Sequence, residues 1–402
     1  MKIQLSGASW IIPALLMMAS ATSILATDLY APSLPHLPEF FQTDNDMVKL
    51  TMSLNVMGYA VAQLFYGPLA DRFGRRPVML AGMAGFILFS LACALADSIE
   101  FLIAARVLQG LTACAEAVVA LLVIRDLYDE DDSVKLMGFY GMTISLAPAV
   151  GPIIGGYVHV WLGWRANFYL LTGLALVVTA LILIYLPETG TREKGAARPG
   201  RILRDYTKLL CCREYLSYAI PLGAVMGGLF AFITEAPFVL IDLMGVPTQS
   251  FGYYQAVIVV AYFLGSLAAS GAVKKVGVEK LTQGGLCLVA GGGILLMMMA
   301  RLIDLTPMLI AGGMTIFAIG LGLVFASAPI RAMDCAPTGR GPSAAMLGAL
   351  EMGGAGLGSL TVGLLNDGTD WPLAVGVGGF SLVALLLYLG LRGGDTRQLS
   401  ST

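Results

Sequence analysis

Four acids stand inside long apolar runs of this chain: Asp28, Glu116, Glu235 and Glu351. An ionised carboxylate in hydrocarbon is costly, because burial penalises the charged form. Acids are kept in such places to take up and release protons, to meet a cationic ligand, or as structural groups satisfied by neighbouring donors. One cation shares their setting. Arg106 begins the run RVLQG, about 9 Å into an apolar segment that starts near residue 100. Gln109 and Gly110 follow at three and four residues, on the same helix face. An arginine at that depth must face a partner or a wet cavity, unless it snorkels to the interface. Glu116 lies about 15 Å along the same helix from Arg106, turned about 80° from it. Glu235 stands just before Pro237, where a kink frees backbone carbonyls and turns the side chain inward. The chemistry on offer is proton coupling through Asp28, Arg106 and Glu116. Substrate binding falls to Asp28, Arg106, Gln109, Glu235 and Glu351.

Two further stretches concern movement rather than binding. Residues 67–76 read GPLADRFGRR and form a very short turn between two apolar runs. Asp71 can accept hydrogen bonds from helix N-termini or from an arginine of a facing helix. Arg72, Arg75 and Arg76 can pair with acids or lipid phosphates, and Gly67 and Gly74 bracket the turn. A gate fits this pattern; a solvated turn is the plainer reading. Residues 145–158 read SLAPAVGPIIGGYV. Pro148 and Pro152 remove helix hydrogen bonds, while Gly151, Gly155 and Gly156 let another helix approach closely. Other signals are weak. His36 and His159 read as isolated interface residues, and Asp129–Asp132 as a solvated acidic turn beside Arg125 and Lys135. The six cysteines lack metal-ligand spacing and read as free thiols. There is no phosphate-binding G-x-x-x-x-G-K-[ST] loop, so an ion gradient rather than ATP is the expected source of energy, with no cofactor.

The elements that must hold these residues are membrane helices. The chain has 402 residues, 57% hydrophobic and 12% charged, where a soluble chain carries roughly 25% charged. Apolar segments recur at 10–31, 48–68, 78–96, 100–124, 136–160, 166–187, 214–240, 251–272, 281–301, 307–330, 343–364 and 372–391. Each can cross a hydrocarbon core of about 30 Å. The first is read as an uncleaved span rather than a signal peptide, because so many others follow. With the N-terminus inside, the internal loops collect Arg72, Arg75, Arg76, Arg125, Lys135, Lys274, Lys275, Lys280, Arg331 and Arg340. The connection 188–213 adds Arg192, Lys194, Arg198, Arg201, Arg204, Lys208 and Arg213, and the tails add Lys2, Arg392 and Arg397. Only Lys49, Arg165 and Arg301 fall to external loops. That asymmetry places both termini in the cytoplasm. The polar connection 188–213 divides the chain into 1–187 and 214–402. GAVKKVGVEKL at 271–281 weakly echoes DRFGRRPVML, with Gly277 over Gly74, as a duplicated six-helix unit would leave.

Together these motifs resemble the major facilitator superfamily. GPLADRFGRR is similar to its signature loop between the second and third spans. R-x-x-Q-G at 106–110 and G-P-x-x-G-G at 151–156 resemble its proton-coupled drug exporters. LATDLYAPSLP (25–35), IRDLY (124–128), EAPFVLI (235–241) and TDWP (369–372) are similar to the Bcr/CflA subfamily, which includes bicyclomycin and chloramphenicol or florfenicol exporters. The resemblance implies an all-α membrane protein with twelve transmembrane helices in two pseudo-symmetric six-helix bundles. It implies proton-driven efflux of small, largely apolar drugs across a bacterial inner membrane, with protons and lipid as partners, no nucleic acid, and a monomer. It gives Asp28 the subfamily's usual acidic position and adds Arg125 and Asp126 of IRDLY to the gate. Glu116, Glu235 and Glu351 are not part of the common pattern. A dedicated metabolite or siderophore exporter on the same scaffold is the second expectation. A membrane-embedded enzyme is disfavoured, since no nucleophile and base are paired.

Overall fold

A computed structural model describes residues 10–190 and 199–392. Lys2, Arg192, Lys194, Arg198 and Arg397 lie outside the described residues. Helix α1 (Ile11–Asp28) ends at its acid, a 3₁₀ turn follows over Ala31–His36, and α2 (Leu37–Phe41) is short. Then come α3 (Asn45–Phe73), α4 (Arg75–Ala94), α5 (Ile99–Leu127), α6 (Glu130–Leu162) and α7 (Trp164–Tyr185). The second half holds α8 (Pro199–Leu210), α9 (Arg213–Pro237), α10 (Phe251–Val276), α11 (Val278–Leu302), α12 (Pro307–Asp334), α13 (Arg340–Leu364) and α14 (Trp371–Arg392). A π-helical turn, Phe238–Leu243, continues α9 beyond Pro237, where the missing N–H breaks the regular ladder.

Eleven of these helical stretches are long and apolar enough to cross a membrane. The twelfth long helix, α3, has the length, about 43 Å for its 29 residues. It falls short on hydropathy because Lys49, Asn55 and Gln63 lie along it. Lys49 is a correction to the topology reading: it is a fully buried residue of α3, not part of an external loop. The connection 188–213 is likewise not all loop. Its part α8 is a helix with Leu209 buried and Arg204 and Lys208 exposed.

Two compact units emerge, one of Met1–Pro199 with Thr248–Gly252, the other of Gly200–Pro247 with Tyr253–Thr402. Within the first, α5 packs between α3 and α4, and α6 runs along α1. Within the second, α9 packs on α13 and α14, and α11 on α12. The sequence echo has a structural counterpart. A single glycine joins α3 to α4 and another joins α10 to α11: Gly74 at φ +101° and Gly277 at φ +83°. Both values suit only a residue without Cβ. The same duplication shows where helices touch. On the first unit's α3–α5 seam, a Cβ on Gly58 would stand 2.8 Å from the Val107 carbonyl oxygen, and one on Gly110 would strike that of Asn55. On the second unit's α10–α12 seam, the same fate meets Gly265 at Ile319 and Gly322 at Tyr262. The two seams share one spacing, yet Ala318 stands where the first has Arg106. The scaffold repeats and the buried cation does not.

Candidate functional site

Arg106 is fully buried on α5. Its Nη1 donates to the Ala26 carbonyl at 3.0 Å and to Gln109 Oε1 at 2.6 Å, and its Nε to the Thr51 carbonyl at 3.4 Å. Nη2 reaches Met52 Sδ at 3.6 Å. The guanidinium also lies over the rings of Tyr30 and Phe168, at 5.0 and 5.8 Å. Gln109 passes the chain on, donating to Ser90 Oγ at 2.8 Å. One side chain therefore ties α5 to α1 and α3, and through Gln109 to α4. Gly110 completes the motif by admitting the α3 backbone, and Asn55 Nδ2 donates back to the Arg106 carbonyl at 2.7 Å. Every polar partner of the cation is neutral. Among the described residues no ion pair joins Arg106 to Asp28; the arginine instead fixes the carbonyl two residues before that acid.

Asp28 is buried at the end of α1. What it faces is the glycine run of α6. A Cβ on Gly151 would stand 2.6 Å from the Asp28 Cβ, and one on Gly155 would strike the Leu29 carbonyl. Pro148 and Pro152 sit inside a continuous α6, so they do not end the helix. Gly156 faces Thr248 instead. The two histidines are not isolated. His36 and His159 stack with ring centroids 4.5 Å apart; His36 Nε2 is 3.1 Å from Thr248 Oγ1, and His159 Nδ1 3.1 Å from Ser33 Oγ. A gap of 123 positions in sequence hid that pair.

The 67–76 segment is helical on both sides of Gly74, so its turn is a single residue. Arg75 is its hub. Nη1 meets Asp71 Oδ1 at 2.5 Å and Nε meets Asp126 Oδ2 at 3.1 Å. The Arg75 backbone N–H donates to Glu188 Oε1 at 2.8 Å. Helices α3, α4 and α5 and the chain after α7 thus converge on one residue, the first two acids at its guanidinium and Glu188 at its backbone N–H. Asp71 takes its partner from the first residue of α4, four positions on. Arg76 Nη2 donates to the Leu183 carbonyl at 2.6 Å, while Arg72 lies over the Phe73 ring and Arg125 is exposed. Space around Gly67 is open, so packing does not require a glycine there. Glu188 escaped the sequence reading; its signal is an acid just past a helix end in an otherwise basic stretch. Asp129 is a helix cap rather than a solvated acid, its Oδ1 accepting from the Asp132 N–H at 2.9 Å. The second unit holds an unforeseen counterpart to the Arg75 cluster: Glu279 bridges Arg331 and Arg392 at 2.5 and 2.8 Å.

The remaining acids are dispersed. Glu116 is fully buried on α5, and neither carboxylate oxygen has a hydrogen-bond partner. Glu235 is buried in the last turn of α9 before the π-helical turn. Glu351 is half-buried on α13, within electrostatic reach of Tyr215. Among the described residues no cluster could hold a metal ion, and all six cysteines are free.

Comparison with known proteins accounts for this arrangement. The family model described as Major Facilitator Superfamily matches residues 16–359. The chain is 31% identical to the "Bicyclomycin resistance protein homolog" of Haemophilus influenzae, over 90% of this chain and 91% of that one. It is 29% identical to the "Chloramphenicol resistance protein" of Pseudomonas aeruginosa, over 91% and 86%. It is 28% identical to the "Multidrug transporter MdfA" of Yersinia pestis, over 94% and 92%. Among solved structures, a bacterial homologue of the human lysosomal transporter Spinster shares the fold, with a TM-score of 0.75 at 15% identity over 97% of each chain. A family match across most of the length, on a frame of long apolar helices, makes this chain a member of the Major Facilitator Superfamily and a multi-pass membrane transporter rather than an enzyme.

Proposed function

We propose that this transporter is a proton-coupled exporter of small, largely apolar drugs, resembling the Bcr/CflA group. The observation that carries the reading is Asp28, a buried acid at the end of an apolar helix, seated against the glycine run of α6. A carboxyl there is costly to ionise, and its surroundings change whenever α6 shifts along α1. An antiporter requires that coupling: proton affinity set by conformation. Relatives named for bicyclomycin, chloramphenicol and multidrug resistance support the cargo class.

The bundles 1–187 and 214–402 rock alternately about the connection 188–213. The Arg75 cluster serves as the cytoplasmic gate, with Asp71, Asp126 and Glu188 as its acids. The glycines and prolines of α6 supply the compliant seam. Substrate meets Gln109, Glu235 and Glu351 as well as Asp28 and Arg106. The protein works as a monomer in the bacterial inner membrane, both termini cytoplasmic, with protons, lipid and a small molecule as its partners and no cofactor. A second reading, export of a polar metabolite or siderophore, draws on the additional buried acids Glu116 and Glu235. Asp28→Asn tests the main reading: it should abolish proton-driven efflux and leave some substrate binding. Normal pumping by the variant against a gradient would move the proton site elsewhere, with Glu116 the first alternative.

A further inference from the structure

A buried polar group without a partner costs free energy, and folded chains keep very few. Besides Asn167 Oδ1, the first unit keeps three acceptor oxygens of this kind among its described residues. Two belong to Glu116, which is 0% exposed. The third is Oε1 of Gln63 on α3, also buried and without a hydrogen-bond partner. Tyr59 and Tyr66 stand one turn to either side of Gln63 on the same face of α3. Both phenols lie within electrostatic reach of Glu116, as does Tyr140 of α6. No donor meets either Glu116 oxygen in this structure. The Gln63 amide lies beside the Tyr59 phenol. The Tyr140 hydroxyl donates to Ser20 Oγ at 2.9 Å. Of the two cations on α5, Arg106 spends its donors on Ala26, Thr51 and Gln109, and Arg125 is exposed. Among the described residues no ion pair reaches Glu116.

A carboxylate and an amide oxygen without hydrogen-bond partners, beside three phenol rings, define their ligand by chemistry. It must bring several N–H groups and a positive charge, and it must tolerate aromatic walls, which attract cations through the ring face. Tyr59, Gln63 and Tyr66 are only half-buried, so the group has an approachable side along α3. We propose that Glu116 and Gln63, walled by Tyr59, Tyr66 and Tyr140, form a recognition site for the amidinium or protonated amine of an organic cation. This names a substrate class and rests on the reading of the chain as an exporter. The site lies within the first unit, on α3, α5 and α6, and uses neither Asp28 nor the Arg106 clasp.

The test is equilibrium binding to the purified full-length protein in detergent, without a proton gradient. Two radiolabelled probes are compared at one pH: pentamidine, a bis-amidinium, and chloramphenicol, which is neutral. The measured quantity is the ratio of their affinities. Glu116→Gln should lower the pentamidine-to-chloramphenicol ratio at least tenfold, and Glu116→Asp should recover part of it. Gln63→Leu, which leaves the carboxylate in place, should lower the ratio about threefold. Thermal melting of each variant identifies misfolding, and the Gln63 variant supplies the answer if the Glu116 variants are unstable. A ratio within twofold of wild type in well-folded Glu116→Gln, or equal loss of both probes, overturns the site. Wild-type protein that binds chloramphenicol but not pentamidine overturns the site alone. Wild-type protein that binds neither overturns the exporter reading with it.

Discussion

Replacing Arg106 by lysine separates two roles that the buried cation can play. If it acts as a point of charge, lysine preserves it. If it acts as a fork, lysine fails, because one ammonium cannot reproduce a planar set of donors. Three oxygens are served by the guanidinium, on α1, α3 and α5, at 2.6 to 3.4 Å. A lysine nitrogen keeps one of them. Each lost bond to a charged donor is worth about 1.5–3 kcal/mol, and relaxation recovers some of that. A net loss of about 3 kcal/mol follows for the first unit. At about 2–4 °C per kcal/mol, the melting temperature should fall by about 6–12 °C. Cys93 and Cys114 provide the assay, since both are buried in this unit. With Cys211, Cys212, Cys287 and Cys335 changed to serine, labelling by a thiol-reactive fluorophore during heating reports the first unit alone. Melting within about 2 °C of the parent would show that the fork does not hold α1 and α3 to α5, and would return Arg106 to a purely electrostatic role.

The other expectations concern the gate, the cargo and the topology. Asp71→Asn should leave the protein inserted and lower transport severalfold, because Arg75 keeps Asp126 and Glu188 but loses its 2.5 Å partner; normal transport in vesicles would remove Asp71 from the gate. Glu235→Gln should weaken export of a cationic substrate at least threefold more than that of a neutral one of similar size. Equal losses in matched export assays would leave Glu235 a structural acid. Cysteines placed in 188–213 should react only from the cytoplasmic side and those in 241–250 only from outside; opposite labelling of either would overturn the orientation inferred from lysine and arginine placement.

What could be read in the sequence was local. Apolar runs gave the long helices because crossing hydrocarbon forces that composition along a contiguous stretch. Gly74 and its echo Gly277 were legible because a one-residue turn between helices demands a positive φ. RVLQG was legible as costly, since an arginine in an apolar helix needs partners wherever they are. Their identity was not legible. Ala26 and Thr51 lie 80 and 55 positions away and contribute backbone carbonyls, which carry no side-chain signature. Glu188 reaches Arg75 across 113 positions, and His36 reaches His159 across a similar gap. Lys49 was misplaced because a charge near the start of a span looks like a loop residue; only packing shows that α3 begins at Asn45 and buries it. Nor could the sequence separate Glu116 from Glu351, since both are acids in apolar helices. The difference, two unpartnered oxygens on a fully buried residue against a residue only half-buried, exists only in three dimensions.

The central claim is exchange of protons for substrate at Asp28. Its most direct test uses purified protein in detergent at weak buffering, where a pH-sensitive dye records protons released as substrate binds. Wild-type protein should release protons on addition of chloramphenicol, roughly one per bound molecule if a single carboxyl couples the two. Asp28→Asn should bind the drug and release none. Release by Asp28→Asn equal to that of the wild type, with binding intact, would contradict the account.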